Sequence, residues 1–381
     1  MLRIAIAGGG IGGLTVALAL KEFGFEAEVY EQAPALLDVG AAIALWPNAM
    51  RVLERLGLAT MIHEHAGEMN EIRWLDQRGF LVNRVPIAGA VALHRADLQS
   101  TLLHALPPGW LKLNYSLVAY DTRGDKVVAS FANGEKIEAD FLIAADGIHS
   151  QARKQIVGDQ EPTYQGYTVW RAITSEIPTA VHTNTAIEIH GHGQRFGIGP
   201  VGAGRIGWWA AANAPEPAGS HERHVEDAQH ELLRLFKDWC APVVELIAAT
   251  LPQLILTTSA FDREPVRTWG HKQVTLLGDA IHPTTPNLGQ GGCLAIEDAM
   301  VLARCFEKYG PGEDALRKYE RCRYSRTAAI TRYSRYYGRL GQSQNALVRA
   351  LKTSVLSLAP EAILRRTMQI VFDYDATTTQ I

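Results

Sequence analysis

Cysteine is scarce: four residues, Cys240, Cys293, Cys305 and Cys322, in a chain of 381. None forms a CxxC pair or a metal-ligand spacing, so neither a disulfide framework nor a metal site is indicated, and a reducing cytoplasm is expected. Excess charge is also missing. The 37 Lys and Arg stand against 40 Asp and Glu, for a net of −3, which excludes the chain as a whole from nucleic-acid binding. No apolar run reaches the ~18 residues of a membrane span. With 47% apolar and 20% charged residues, coiled coil, collagen and long disorder are excluded. The length fits two domains, or one large composite domain. Residues 1–20, MLRIAIAGGGIGGLTVALAL, have a signal-peptide outline with Arg3 as the flank. Glycines interrupt the apolar stretch, however, and no small-residue cleavage site precedes Lys21, so that reading is set aside.

Glycine is plentiful. The 34 residues make up about 9%, against a usual ~7%, and the excess sits in two clusters. In the first, Leu2 to Ala7 reads as a buried strand. Gly8, Gly10 and Gly13 follow in GxGxxG order, and Leu14 to Phe23 reads as a buried helix. Ala27 to Tyr30 reads as a second strand, ending in Glu31 and Gln32. This strand–turn–helix setting points to dinucleotide binding. Gly8 permits the sharp turn, Gly10 lets backbone approach a pyrophosphate, and Gly13 lets helix pack close to strand. The helix N-terminus offers unpaired N–H groups to the phosphates. Glu31 can accept hydrogen bonds from ribose hydroxyls and disfavours a 2′-phosphate.

Two further strand ends carry motifs. Residues 140–153 read DFLIAADGIHSQAR, in which a strand from Phe141 to Ala145 runs into Asp146-Gly147; alone, Asp-Gly is often only a turn. Residues 274–298 read VTLLGDAIHPTTPNLGQGGCLAIED. Here a strand from Val274 to Leu277 ends at Gly278-Asp279. A glycine-rich turn (Gly289, Gly291, Gly292) follows, then a helix from about Cys293 to Phe306. Asp279 suits a polyol hydroxyl, and a helix opening on Gly-Gly presents N–H groups to an anion. The first cluster accounts for an ADP half, and the third motif for a polyol-like, partly anionic half. Together they describe FAD.

These segments resemble the single-component flavoprotein monooxygenases of the para-hydroxybenzoate hydroxylase type. The resemblance covers roughly residues 2–340, through GGGIGG at 8–13 (including Gly12), AADGIHSQAR at 144–153 and LLGDAIHPTTPNLGQGGCLAIED at 277–298. VGAAIALWPNAM at 39–50 and LHRADL at 93–98 are similar too. The resemblance implies an α/β fold: a Rossmann-like FAD domain of residues 1–160 and 265–340, an inserted antiparallel substrate sheet at 161–264, and a C-terminal helical segment at 341–381. It implies that Arg95 contacts FAD, that the strand near Val118 packs on the adenine, and that Asp146-Gly147 serves both FAD and a transient NADH or NADPH. Arg195 would lie beside the isoalloxazine. Pro286 and the turn at Gly289–Gly292 would wall the oxygen-reaction pocket. The implied reaction uses NAD(P)H and O2 to hydroxylate a small aromatic or heteroaromatic substrate through a flavin C4a-hydroperoxide. Epoxidation of an isoprenoid or other alkene, a flavin reductase that never activates oxygen, and a non-catalytic FAD-binding partner remain as alternatives.

Within the family, 39–50 and 277–298 look most like urate hydroxylases, 6-hydroxynicotinate hydroxylases and zeaxanthin epoxidases. Urate hydroxylases carry Tyr where this chain has Gly207, which argues against urate. Tyr164 to Thr174, Thr185 to Ile189, Arg195 to Val201 and Arg205 to Ala212 read as antiparallel strands. They carry Trp170, Arg171, Trp208 and Trp209, and the tryptophans read as core. His282 reads as structural, and Cys293 as a small packing residue. Residues 315–366 hold twelve Lys and Arg against Glu320 and Glu361, a net of +10, which leaves −13 for the rest. Such asymmetry suits NAD(P)H, an acidic membrane surface or the protein's own acidic face. Ala346 to Phe372 has amphipathic helical spacing, expected to pack its apolar face on the domain and to solvate its basic one. Neither membrane contact nor a nucleic-acid partner is expected, and a monomer or homodimer would serve.

Overall fold

The computed structural model describes residues 2–36, 40–175, 184–216, 222–223 and 228–381. Strands and helices are numbered along the chain. The first sheet runs in the order β17 (Gly270–His271), β18 (Val274–Leu276), β10 (Phe141–Ala144), β1 (Ile4–Ala7), β2 (Ala27–Tyr30) and β6 (Leu111–Lys112). All its pairings are parallel except that of β17. Every residue of β1 and β10 is buried, as a parallel sheet covered on both faces requires. Helices α1 (Ile11–Glu22) and α8 (Gly291–Tyr309) pack together over this sheet. A small antiparallel sheet, β7 (Leu117–Arg123), β8 (Lys126–Phe131) and β9 (Lys136–Ala139), meets it where Phe131 packs 5.1 Å from Tyr30.

The second sheet has nine strands. In spatial order these are β15 (Glu222–Arg223), β16 (Leu256–Asp262), β11 (Thr163–Thr174), β14 (Ile206–Asn213), β13 (Gln194–Pro200), β12 (Thr185–His190), β4 (Gly67–Asp76), β5 (Leu81–His94) and β3 (Ala42–Leu45). The four expected middle strands are present within a residue or so at either end. The sheet is not confined to 161–264, however: β3, β4 and β5 come from the segment read as part of the FAD domain, and β4 pairs in parallel with β12. Helices α6 (Ala228–Phe236) and α7 (Val243–Ala249) cover one face, burying Phe236, Leu246 and Ile247 against Phe196 and Trp208.

The remaining helices lie around the sheets. They are α2 (Pro47–Arg55), α3 (Ala59–His65), α4 (Arg95–Ala105), α5 (Gln151–Val157), α9 (Glu313–Gly341), α10 (Ala346–Leu358) and α11 (Glu361–Phe372). At 29 residues, α9 spans about 43 Å. Near its start Tyr319 bonds the Leu276 carbonyl of the first sheet at 3.2 Å. Just beyond its end the Gln342 carbonyl accepts from Asn213 of the second at 3.0 Å.

Three expectations change. Helix α8 opens two residues earlier than expected, at Gly291, because the glycines belong to its first turn rather than to the loop. The stretch 346–372 forms two helices, since Pro360 interrupts the first. Five of the eight Lys and Arg on α9 are paired internally: Arg317 with Glu320, Arg323 with Glu297 and Asp298, Arg326 with Glu297, Arg332 with Glu264, and Arg335 with Asp262 and Glu264. Of the three anionic attractors read from sequence, the protein's own acidic residues take most of these cations.

Candidate active site

Three strand ends converge. β1 ends at Ala7, β10 at Ala144 and β18 at Leu276, side by side and in register. Gly8 turns the chain with φ +106°, and a Cβ there would meet the Ala145 carbonyl oxygen at 2.3 Å. Gly13 lies so close to that turn that a Cβ would stand 1.9 Å from the Gly8 oxygen. Both positions therefore demand glycine. Helix α1 follows Gly10 directly, and the first main-chain bond runs from Leu14 N to Gly10 O at 3.0 Å. The N–H groups of Ile11, Gly12 and Gly13 thus have no acceptor within the helix.

Between the two sheets lies a cavity of about 1280 Å³. It is walled by Gly10, Gly12, Arg95, Gly147 and Asp279 on the first-sheet side, and by Ala42, Val169, Ile187, Arg195 and Trp209 on the second. Pro286, Gly289, Gly291 and Gly292 line it as well. Pro286 opens a single 3-10 turn, Pro286–Leu288, closed by Gly289 at φ +60°. Asp279 accepts no hydrogen bond among the described residues. Its side chain opens onto the cavity, yet desolvation by the enclosing walls, helped by Asp298, raises its pKa against the opposing pull of His282 and Arg95. The Arg95 guanidinium, at the start of α4, makes no hydrogen bond among the described residues either.

These residues fit FAD. A Cβ on Gly10 or Gly147 would meet nothing within 4 Å, which leaves a cradle at two of the three strand ends. Trp46 Nε1 and Thr284 Oγ1 are buried at the cavity wall with no hydrogen-bond partner among the described residues. The N-terminus of α8 has no acid in its first turn and points its free N–H groups into the same space.

Other expected residues stand elsewhere or are occupied. Glu31 accepts from Gly9 N at 2.5 Å and Ala33 N at 2.9 Å, so it braces the glycine loop with lone pairs to spare. Gln32 is exposed beside it. Asp146 caps α5 through Oδ2, accepting from Gln151 N at 2.9 Å, and its Oδ1 is buried without a partner. Val118 is 53% exposed on β7 and is not part of the cavity wall. Arg195 lines the cavity but is 1% exposed. Its guanidinium is held by Gln342 at 3.1 Å, Glu188 at 3.2 Å and Asn287.

His282 donates from Nε2 to the Asp298 carboxylate at 2.5 Å, and Cys293 is fully buried, which pushes its thiol up to about 12; both match the structural reading. Trp170 and Trp208 are core, whereas Trp209 is half-buried at the cavity wall with Arg195 5.3 Å from its ring centre.

Two clusters went unread. Behind α8, Glu297 and Asp298 are fully buried and hold Arg323, Arg326, His282 and Asn48. Burial pushes the Asp298 carboxyl up, but His282 and Arg323 outweigh it and keep the carboxyl below its usual range. Adjacent acids inside an apolar helical run were the available signal. In the cavity wall, Glu188, His190, Tyr337 and Lys352 converge: Tyr337 donates to Glu188 at 2.8 Å, and Lys352 Nζ lies 3.0 Å from His190 Nδ1. Burial drives His190 down to about 4 and Lys352 to about 8. Glu188 and His190 alternate with Ile187 and Ile189 along β12, which marks a shared strand face; nothing in the sequence joins Lys352 to it.

The comparisons agree with this geometry. A family described as FAD binding domain matches residues 1–334. The aurachin C monooxygenase/isomerase of Stigmatella aurantiaca is 37% identical over 353 residues, covering 91% of each chain. The 6-hydroxynicotinate 3-monooxygenase of Pseudomonas fluorescens is 31% identical, covering 87% of this chain and 90% of its own. The crystal structure of Klebsiella pneumoniae HpxO with FAD and uric acid superposes with a TM-score of 0.91 at 30% identity, over 97% of this chain and 96% of that one. With its glycine cradle, its convergent strand ends and these relatives, the chain belongs to the FAD binding domain family and is a flavin-dependent monooxygenase.

Proposed function

We propose that the enzyme uses NADH or NADPH with O2 to hydroxylate an aromatic or heteroaromatic ring seated between the flavin site and the second sheet. The observation that carries this is the single cavity shared by the three strand ends and the sheet. Bound FAD supplies two-electron chemistry and oxygen transfer. Gly10, Gly12 and Gly13 hold the pyrophosphate, Glu31 and Gln32 the ribose region, and the β7 edge at Val118 the adenine side. Asp279 would hold the ribityl chain with Asp146 and Arg95 beside it, and Gly291 and Gly292 would offer N–H groups to negative charge on the flavin ring.

Arg195 fixes the wall opposite. Its three protein partners tie β13 to the Pro286 turn and to the end of α9, so the pocket keeps its shape around the ring substrate and excludes water. Tryptophan faces and aliphatic side chains supply the packing. The FAD domain is taken as 1–160 with 265–340, the substrate sheet as 161–264 with strands borrowed from 42–94, and the tail as 341–381. A cytoplasmic monomer or homodimer fits this reading. Among the described residues no helix is long and apolar enough to cross a membrane.

The test is a screen of small hydroxylated aromatics for stimulated NAD(P)H oxidation under 18O2. One labelled oxygen in the product supports the reading. Nicotinamide oxidation that yields only hydrogen peroxide with every substrate sinks it in favour of a reductase. The apolar character of the outer cavity also favours epoxidation of an alkene, which the same mass shift on an olefin would reveal.

A further inference from the structure

The last two helices leave much of their apolar surface uncovered. On α10 the large apolar residues stay exposed alongside Thr353, Ser354 and Ser357: Leu347 is 81% exposed, Leu351 67%, Val355 62% and Leu358 81%. Its half-buried residues are Arg349, Lys352 and Leu356: Lys352 reaches His190, and Leu356 packs on the core. No residue of α10 is buried, and α11 buries only Val371 and Phe372, leaving Ile363 58% and Ile370 71% exposed. The expected packing of the apolar face on the domain is therefore incomplete on α10: Leu356 turns inward, while Leu347, Leu351, Val355 and Leu358 stay exposed.

The helices are nonetheless firmly placed. Asn83 donates to the carbonyls of Leu356 at 2.6 Å and Ala359 at 3.0 Å. Arg326 donates to the Val371 carbonyl at 2.9 Å, and Phe372 stacks on Trp46 at 4.0 Å. Polar anchors thus hold an apolar stripe outward, although an amphipathic helix free to roll would bury it. The stripe is also continuous with the cavity. Val348, Leu351 and Val355 of α10, with Ile363, Leu364 and Met368 of α11, form its outer wall. The inner wall carries the Glu188, His190, Arg195 and Tyr337 polar cluster.

Resting on the monooxygenase reading, we propose that the substrate is an amphiphile: a polar ring that sits at the flavin and a long hydrocarbon tail that leaves between α10 and α11, lying along Leu351, Val355, Ile363 and Met368. The polar cluster meets the ring, and the exposed stripe takes the tail. A compact ring alone would leave the outer wall in water, whereas a tail removes it from water.

The test is calorimetric titration of the FAD-loaded enzyme with 4-alkylphenols bearing methyl, butyl, heptyl and nonyl groups, each below its solubility limit. Complete burial gives about a fourfold gain per methylene. In this half-open channel we expect about twofold or more, so nonyl binds at least a hundredfold tighter than methyl. The double variant Leu351→Ser/Val355→Ser should cut that nonyl-to-methyl ratio about tenfold. Both side chains are mostly exposed, so the fold is retained, as circular dichroism and flavin content will show. A dissociation constant that does not fall with tail length overturns the proposal, as does no binding by the nonyl member. A ratio that the double variant leaves intact also overturns it. If the stripe is instead a seam between two copies, light scattering shows a dimer that the variant splits while the ratio stays put. A tail-length gain without oxygenated product refutes the monooxygenase reading alone; an oxygenated short ring without the gain refutes only the tail.

Discussion

At the scale of single residues, charge inside the cavity wall sets what can be measured. Lys352 is driven down to about 8 from 10.5, first by burial and then by Arg195 and Arg349, against the opposing pull of Glu188. Below about pH 8 both the folded and unfolded chains hold the proton, and the burial penalty is fully present. Between about pH 8 and 10.5 the unfolded chain binds more protons, so this group's contribution makes stability rise with pH. Lys352→Met should therefore be more stable than the parent at pH 7, by on the order of 2 kcal/mol after allowance for partial exposure. That advantage should shrink by pH 10. Urea denaturation at the two pH values reads it; a variant less stable at pH 7 than at pH 10 relative to the parent would refute the assignment. Arg323→Met has the opposite effect. It strands the buried Glu297 and Asp298 carboxylates, and should lower unfolding free energy by about 3–5 kcal/mol, read by the same denaturation. The first-sheet residues were legible because glycine, acid and strand end recur at fixed spacing. Lys352 and Arg323 were not: whether a helical cation faces water or a buried carboxylate depends on a partner far away in the chain.

At the scale of elements, the strand–turn–helix units carry the prediction. Gly13→Ala places a methyl 1.9 Å from the Gly8 oxygen, so α1 must withdraw from β1. The expected result is a loss of about 3 kcal/mol or more and purified protein whose 450 nm absorbance per chain falls several-fold. Full yellow colour in that variant would contradict the role assigned to the turn. At the other end of the chain, Asn345 caps α10 by accepting from Leu347 N at 2.9 Å and Val348 N at 3.2 Å. Asn345→Ala should cost about 1 kcal/mol locally and show as faster hydrogen exchange confined to 346–358. Uniform exchange across the chain would argue against a separate tail unit. Strands β1, β2, β10 and β18 were readable as short apolar runs, and β11 to β14 as alternating ones. The borrowing of β3, β4 and β5 by the second sheet was not, because pairing between strands a hundred residues apart leaves no local trace. Pro360 did mark the break between α10 and α11, and amphipathic spacing alone concealed it.

At the scale of the molecule, the cofactor site draws on both sheets. Gly10 and Asp279 stand on one, while Ala42 belongs to β3 of the other. A ligand that binds only the folded state stabilises it by about 2.7 kcal/mol at a hundredfold excess over its dissociation constant. Because FAD would touch both units, its gain should appear in one shared transition rather than in one of two. Stripping the flavin and then titrating it back should raise the melting temperature by several degrees. Tryptophan fluorescence, dominated by the second sheet through Trp170, Trp208 and Trp209, and flavin release from the first should share one midpoint. If the tryptophan transition stays where it was while only flavin release moves, the two sheets fold independently. The 29-residue α9, fixed to Leu276 at one end and beside Asn213 at the other, would then not be the rigid tie that its contacts describe.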